Sequence, residues 1–94
     1  MSLSVENQPD RSRYALLQDG EPIGVAEYHM QDDAIVFTHT EVDEAKREKG
    51  MASTLVRTAL DDVRAHSDLR VVASCPYVRS WISERPDYAD LLTR

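Results

Sequence analysis

The feature that most constrains the fold is a run of apolar residues at helical spacing in the second half of the chain. These residues recur at every fourth position: Met51, Leu55, Ala59 and Val63. The spacing gives one broad apolar face and predicts an amphipathic helix over residues 50–66. An apolar, β-branched strand is predicted before the helix at residues 34–42, and an alternating strand after it at residues 69–75. Such a strand–helix–strand unit normally forms two parallel strands joined by a right-handed crossover.

The first half of the chain predicts an antiparallel meander. Three short strands are predicted, at residues 4–8, 14–17 and 23–30. Asp19-Gly20 is typical of a hairpin turn, and residues 31–33 predict the turn before the strand at 34–42. Gly24 interrupts a strand, which indicates either a bulge or a close approach of two backbones.

The C-terminal segment adds a short helix. Pro76 ends the preceding strand, and the helix then runs through three apolar residues: Val78, Trp81 and Ile82. Pro86 ends this helix, and a final turn covers residues 88–92. The predicted fold is an α/β (α+β) mixed sheet: an antiparallel meander, a strand–helix–strand unit and a short C-terminal helix, in a single domain over residues 1–94.

The composition argues against several classes of protein. The net charge of the 94 residues is −6, which disfavours a nucleic-acid partner because neutralising phosphates needs a basic surface. Cys75 is the only cysteine, so no internal disulfide forms, and a reducing, cytoplasmic location is expected. No apolar run has the length to cross a bilayer, so no membrane partner is expected. His29 and His66 lack metal-ligand spacing, so no metal is expected either.

A short turn marks the point where the strand ends and the helix begins. It reads Arg47-Glu48-Lys49-Gly50-Met51-Ala52, an Arg-x-x-Gly-x-Ala pattern. A small-residue turn that opens a helix exposes unpaired backbone N–H groups, which form an anion site together with the helix dipole. Gly50 lets the backbone approach a ligand closely, and Ala52 keeps the first turn uncluttered. The turn therefore predicts a phosphate or pyrophosphate site; the plainer interpretation is an ordinary helix start.

With these elements in place, the sequence resembles the GCN5-related N-acetyltransferase superfamily, and more closely its small, single-domain members. The resemblance runs from Gly24 to Leu92. It rests on several segments: Phe37-Thr38-His39-Thr40-Glu41-Val42, Arg47-x-x-Gly50-x-Ala52, Cys75-Pro76-Tyr77-Val78, Trp81-Ile82 and Pro86-x-Tyr88-x-x-Leu91. The Arg-x-x-Gly-x-Ala signature alone is moderately specific, and the His-Thr-Glu-Val and Cys-Pro-Tyr-Val segments at these distances make the match strong.

The resemblance implies that the protein binds acetyl-CoA. Backbone N–H groups of the signature turn would hold the CoA pyrophosphate; the residues concerned are Arg47, Glu48, Lys49, Gly50, Met51, Ala52 and Ser53. The end of the preceding strand, from Thr40 to Val42, would hydrogen-bond to the amide-rich pantetheine arm. The two parallel strands would splay apart around the thioester, which places it near Cys75.

The sequence departs from close relatives at three positions. Asp43 stands where relatives often have Pro, Glu48 where they often have Gly, and Arg85 where they have His. Glu48 would put a carboxylate beside the pyrophosphate. If that carboxylate points to solvent its effect is small and screened, and if it points inward it would weaken CoA binding. The small members largely lack the N-terminal substrate-binding segment of the larger enzymes, so the resemblance does not define an acceptor site.

Three residues are candidates for catalysis: Cys75, His39 and Glu41. Cys75 lies at a strand end before a helix N-terminus, which would favour a thiolate able to accept the acetyl group. It equally fits a small, buried hydrophobic residue. His39, predicted to share a face with Phe37 and Glu41, is a candidate general base or a structural histidine. Glu41 is a candidate base for an amine or a surface carboxylate.

The expected activity is acetyl-CoA-dependent N-acetyl transfer to an amine of a small molecule or peptide. The transfer would run by direct attack or through acetylated Cys75. Tyr77 and Tyr88 are candidates to protonate the departing thiolate, or are plain packing residues. The alternatives are a non-catalytic CoA-binding module and an interaction domain that binds no cofactor. A homodimer could supply a missing acceptor wall, although the sequence reveals no dimer interface.

Overall fold

The computed structural model describes residues 2–43 and 50–94. Five strands form the sheet: β1 (Leu3–Gln8), β2 (Arg13–Gln18), β3 (Glu21–Gln31), β4 (Ala34–Val42) and β5 (Arg70–Ala73). Two α-helices pack on it: α1 (Met51–His66) and α2 (Pro76–Ser83). Two 3₁₀ segments complete the described chain, one at Pro9–Arg11 and one at Pro86–Thr93.

The strands lie in sequence order, β1-β2-β3-β4-β5, in one mixed sheet. Strands β1 to β4 are antiparallel neighbours, and β5 is parallel to β4. The antiparallel meander and the parallel strand–helix–strand unit predicted from the sequence are therefore confirmed. The hairpin between β2 and β3 turns at Asp19 and Gly20, and both residues have positive φ, as an Asp-Gly turn requires.

One face of the sheet packs against both helices. α1 buries the stripe predicted from its spacing: Met51, Leu55, Val56, Ala59, Leu60 and Val63. α2 adds three residues to the same core: Val78, Trp81 and Ile82. From the sheet, the rings of Tyr14, Tyr28 and Phe37 meet with centroids between 5.5 and 6.3 Å apart. Removal of these apolar surfaces from water holds the helices on the sheet.

The C-terminal boundaries differ from the sequence predictions. β5 covers Arg70–Ala73 and is shorter than the predicted strand over residues 69–75. Pro76 opens α2 in its first turn, where the missing N–H and the fixed φ of proline are tolerated well. Pro86 likewise opens the C-terminal 3₁₀ segment, after α2 has already ended at Ser83. Both prolines were predicted to end elements, and in the structure both begin them.

A bulge and a close strand approach meet at Gly24. The register of β2 against β3 shifts between Leu16 and Leu17, where Ile23 is the extra residue on β3. On the other side of β3, a Cβ added to Gly24 would lie 3.1 Å from the Glu41 carbonyl oxygen and 2.9 Å from Cγ2 of Val42. The close backbone approach predicted at Gly24 is therefore present, and the bulge lies at the neighbouring Ile23.

A second bulge lies in β4 and changes which residues face the core. Tyr28 pairs with Phe37 and Glu27 pairs with His39, so Thr38 is the extra residue. The bulge shifts the alternation of side chains by one position. Phe37 is 1% exposed, whereas the side chain of His39 is 54% exposed. The prediction that His39 shares a face with Phe37 is wrong for this reason.

Candidate active site

The parallel pair β4–β5 separates beyond Phe37. The strands are paired from Ala34 to Phe37 on β4, and the N–H of Cys75 then donates to the Phe37 carbonyl over 2.9 Å. β4 continues to Val42, while the chain after Cys75 turns into α2. The sheet therefore opens at the carboxyl ends of its parallel strands, where ligands of such sheets typically bind.

A cleft of about 430 Å³ occupies this opening. It is lined by residues from β4, from the start of α1 and from α2: Thr40, Glu41, Val42, Gly50, Ala52, Ser53 and Tyr77. Small-molecule sites usually measure roughly 300–1,000 Å³, so the cleft has the size of a ligand site. All of these residues except Tyr77 belong to the cofactor or catalytic set predicted from the sequence.

The start of α1 forms one end of the cleft. Gly50 is the N-cap residue, with φ 70° and ψ 24° in the left-handed region that glycine adopts readily. No described side chain caps the helix, and its first hydrogen bond runs from the Thr54 N–H to the Gly50 carbonyl over 3.0 Å. The N–H groups that precede Thr54 in the first turn have no acceptor within the helix. Together with the helix dipole, these groups favour an anion.

The other predicted turn residues are placed differently. Met51 is 7% exposed and packs in the core, so it can serve the site only through its backbone. Ser53 Oγ accepts a hydrogen bond from Trp81 Nε1 over 2.8 Å, which fixes the hydroxyl at the cleft while its own proton can still be donated. The contributions predicted for the remaining turn residues lie outside the described part of the chain: Arg47, Glu48 and Lys49.

Cys75 lies beside the cleft but is buried. It is 3% exposed, and its thiol donates to Oγ1 of Thr40, 3.4 Å away. Thr40 lines the cleft, so the sulfur adjoins the site through this contact. Cys75 is also the N-cap residue of α2.

Glu41 and His39 form an exposed pair at the rim of the cleft. Nε2 of His39 lies 3.1 Å from Oε2 of Glu41, and the two side chains are 54% and 65% exposed. Glu41 lines the cleft and also a neighbouring groove of about 370 Å³ along β3. His39 contributes to neither lining and contacts Glu41 from outside. The structure therefore brings Glu41 to the cleft and holds His39 behind it.

A family model described as GCN5-related N-acetyl-transferase matches residues 13–91 of this chain. The chain belongs to the GCN5-related N-acetyltransferase family. This membership supports an N-acetyltransferase activity, and the fold and family expected from the resemblance are confirmed.

Relatives of this member of the family match most of its length. Protein NATD1 from Mus musculus is 31% identical over 86 residues, which is 89% of this chain and 77% of that protein. NATD1 from Gallus gallus has the same identity, 31%, and the same coverage of both chains, 89% and 77%.

A solved structure of a ribosomal-protein-alanine N-acetyltransferase from Brucella melitensis biovar Abortus 2308 shares the fold. The TM-score is 0.54 at 24% sequence identity, and the match covers 85% of this chain and 64% of that chain. The present chain thus spans less than two thirds of the Brucella protein. At this identity the likeness shows the fold alone.

In this family member, α2 supplies a cleft residue that the sequence signalled only weakly. Tyr77 is 39% exposed, and partial burial raises the pKa of its hydroxyl. Tyr88 instead packs edge-on against Trp81, with ring centroids 4.8 Å apart, and donates to Asp61 over 2.8 Å. The i, i+4 spacing of Tyr77 and Trp81 is the signal that places both on one face of α2.

Two further observations concern the described part of the chain. Within residues 2–43 and 50–94, no group of three or more His, Cys, Asp or Glu side chains is arranged to hold a metal ion. In the same residues, neither α-helix has the length and hydrophobicity that crossing a membrane requires. His29 belongs to β3, and His66 is the last residue of α1.

Proposed function

We propose that this protein is an acetyl-CoA-dependent N-acetyltransferase that acts on an amine of a small molecule or a peptide. The observation that carries the proposal is the cleft, because it joins the first turn of α1 to the end of β4. A donor that is anionic at one end and amide-rich along its length matches these two walls. The family match over residues 13–91 supports the class of reaction.

The residues of the cleft fit the chemical groups of CoA. Backbone N–H groups at the start of α1 would bind the pyrophosphate, and they belong to Gly50, Met51, Ala52 and Ser53. The Ser53 hydroxyl adds a donor beside them. The backbone of β4 from Thr40 to Val42 would hydrogen-bond to the pantetheine amides, as an added strand does. When bound there, acetyl-CoA supplies an acyl group activated as a thioester.

Side chains at the cleft can move the protons that amide formation requires. A protonated amine is not nucleophilic, so a base must take its proton, and the Glu41 carboxylate at the rim is suited to this. His39 lies 3.1 Å from that carboxylate and would orient it and relay the proton to solvent. Burial raises the pKa of Tyr77, so its hydroxyl keeps a proton that it can donate to the leaving sulfur.

Cys75 offers an alternative, two-step route. Its thiolate would bond to the acetyl carbon as the bond from that carbon to the CoA sulfur breaks, and the amine would then displace Cys75 from the acetyl group. We favour direct transfer because Cys75 is 3% exposed and its thiol is held by Thr40. Intact mass after incubation with acetyl-CoA tests this choice. An acetyl increment that disappears in Cys75→Ser would establish the two-step route, and retained activity of Cys75→Ser would exclude it.

Titration calorimetry with acetyl-CoA and with CoA tests the proposed donor. Gly50→Glu introduces a carboxylate at the first turn of α1, and we expect it to abolish binding of both ligands. Gly20→Glu is the matched control, because Gly20 also has positive φ, at 86°, but lies in the hairpin between β2 and β3. The proposal fails if the wild-type protein binds neither ligand.

A non-catalytic CoA-binding module is the second candidate. The exposure of the His39–Glu41 pair favours it, since side chains that are 54% and 65% exposed hold the base in water rather than in an enclosed site. This function predicts CoA binding without acetylation of any amine. A panel of amines assayed for release of free CoA thiol separates the two functions.

We also propose a cytoplasmic location, because Cys75 is a free thiol and free thiols persist in reducing compartments. Microscopy of the fluorescently tagged protein tests this location. A signal confined to another compartment would contradict it.

A further inference from the structure

Two rows of side chains meet next to the cleft. On α1 the row is Ser53 and Arg57, one helical turn apart. The other row is Tyr77 and Trp81 on α2, continued by Arg85 just after that helix ends at Ser83. Ser53 and Tyr77 line the cleft. One turn further on, Trp81 Nε1 donates to Ser53 Oγ over 2.8 Å and joins the two rows. Each row ends in a guanidinium group, and both groups lie beside the ring of Trp81, which is bonded to the cleft residue Ser53.

Trp81 holds both guanidinium groups in place. Cζ of Arg85 lies 4.1 Å from the centroid of the Trp81 ring, and Cζ of Arg57 lies 5.8 Å from it. Nη1 of Arg85 also donates to the Trp81 carbonyl over 3.0 Å. Cations within about 6 Å of an indole centroid are attracted by the ring, so the arrangement is pre-organised. It is a local cluster of positive charge on a chain whose net charge is −6.

Neighbouring carboxylates neutralise this pair only weakly. Oε1 of Glu84 is 3.7 Å from Nη1 of Arg85, and the Glu84 side chain is 76% exposed, so water screens the interaction. Asp61 accepts the Tyr88 hydroxyl over 2.8 Å. Within the described residues, no carboxylate forms a salt bridge with Arg57. Both guanidinium groups therefore keep N–H donors for an anion.

We propose that Arg57 and Arg85 form a second anion subsite, which binds the ribose 3′-phosphate of CoA. The inference rests on the proposed function, which assigns the pyrophosphate to the first turn of α1. CoA carries its phosphomonoester apart from the pyrophosphate, so that group needs donors beyond the first turn. A phosphomonoester dianion is matched by guanidinium groups, whose planar forks bind phosphate oxygens in pairs. The subsite would make the protein select CoA over 3′-dephospho-CoA.

Titration calorimetry with CoA and with 3′-dephospho-CoA tests the subsite. A hydrogen bond between charged groups typically contributes enough for a tenfold change in affinity. We therefore expect the wild-type protein to bind CoA at least about tenfold more tightly than 3′-dephospho-CoA. Arg57→Gln and Arg85→Gln should each weaken CoA binding and leave 3′-dephospho-CoA binding unchanged. Arg85→Lys should retain part of the preference, because it keeps the charge but loses the fork.

Arg79→Gln is the matched control, because it removes the same charge from α2, the helix that ends just before Arg85. The Arg79 guanidinium donates to the carbonyls of Ala73 and Ser74, away from the cleft. We expect this variant to keep the full preference for CoA.

Equal wild-type affinity for CoA and 3′-dephospho-CoA would overturn the subsite and leave the proposed function intact. An equal loss of affinity for CoA and for 3′-dephospho-CoA in Arg85→Gln would overturn the subsite as well, since the Arg85 side chain would then only pack in the fold and not bind the 3′-phosphate. Absence of binding by both ligands would instead remove the proposed function together with the subsite.

Discussion

Gly50 shows how one backbone conformation positions the cleft. Its φ of 70° lies in the left-handed region, and a Cβ added there would meet no atom within 4 Å. The requirement for glycine is therefore conformational and not steric. An L-residue in this region typically costs about 1–2 kcal/mol, whereas asparagine tolerates it better.

We therefore predict that Gly50→Ala lowers the free energy of unfolding by about 1 kcal/mol, and that Gly50→Asn lowers it less. Urea denaturation followed by circular dichroism measures both. An alanine variant as stable as the wild type would show that the residue does not need positive φ.

Tyr14 couples the stability of the fold to alkaline pH. It is 3% exposed, and its hydroxyl donates to Asp62 over 2.6 Å. Burial, followed by the hydrogen bond and charge of Asp62, raises the pKa of Tyr14 far above its ordinary value of 10.0. Because the pKa of Tyr14 is higher in the folded than in the unfolded state, the protonated hydroxyl stabilises the fold. This contribution is fully present below the unfolded-state pKa and is lost progressively as pH rises from that value toward the folded-state pKa.

We predict that wild-type stability falls steeply above about pH 10. Each proton bound more tightly by the folded state contributes a slope of about 1.4 kcal/mol per pH unit. Tyr14→Phe should be less stable at neutral pH by about 1 kcal/mol, because a buried hydrogen bond is lost, and its alkaline slope should be shallower. Urea denaturation of both proteins from pH 7 to 11 checks this, and parallel slopes would contradict it.

The α1 helix is the element on which most of the core depends. It buries six apolar residues against the sheet, and Leu55 is 0% exposed among them. Burial of this stripe, more than helix propensity, stabilises a helix of this length.

We predict that Leu55→Ala destabilises the protein by about 3–5 kcal/mol, from lost burial and the cavity left behind. Thr54→Ala, on the exposed side of the same turn, should be neutral or slightly stabilising because alanine has the higher helix propensity. Denaturant unfolding of the two variants measures the difference. A small loss for Leu55→Ala would mean that the core relaxes around the gap.

Strands β4 and β5 show where prediction of elements from sequence stops. The existence, order and type of every predicted strand and α-helix are confirmed, because apolar periodicity and turn residues act locally. The end of β5 at Ala73 and the extra residue Thr38 in β4 were not predicted. Both features depend on which backbone groups of the neighbouring strand are available for hydrogen bonds. The residue pattern within a single strand contains no information about those groups.

The molecule as a whole has one principal core, to which the sheet, α1, α2 and the C-terminal 3₁₀ segment all contribute. Leu91 of that last segment is 0% exposed. A domain of this size has a small free energy of unfolding, so each element is expected to need the others in order to stay folded.

We therefore predict a single cooperative unfolding transition, with a urea m-value of about 1–3 kcal/mol/M. Trp81 is the only tryptophan and lies in α2, so its fluorescence reports the C-terminal elements, while far-UV circular dichroism reports all of them. The two transitions should coincide. An earlier fluorescence transition would show that α2 unfolds as a separate unit.

The sequence also predicted part of the cleft lining. The turn at the start of α1 and the end of β4 were predicted as site residues because their signals lie within short segments. The cleft is lined by Gly50, Ala52 and Ser53 from the turn and by Thr40, Glu41 and Val42 from the strand. Tyr77 was only one of two candidate tyrosines. The packing of Tyr88 on Trp81 and its bond to Asp61 distinguish the two, and these contacts require the folded chain.

The amino-acid sequence alone specifies the strands, the helices and their order, since these follow from local periodicity and turn chemistry. The tertiary structure decides which side chains share the cleft. The Cys75 thiol meets the Thr40 hydroxyl across 35 positions of sequence, and Trp81 reaches Ser53 across 28. Such contacts depend on the bulge at Thr38 in β4 and on the point after Phe37 where β4 and β5 separate. Both are properties of the assembled sheet, in which each strand's conformation depends on its neighbour.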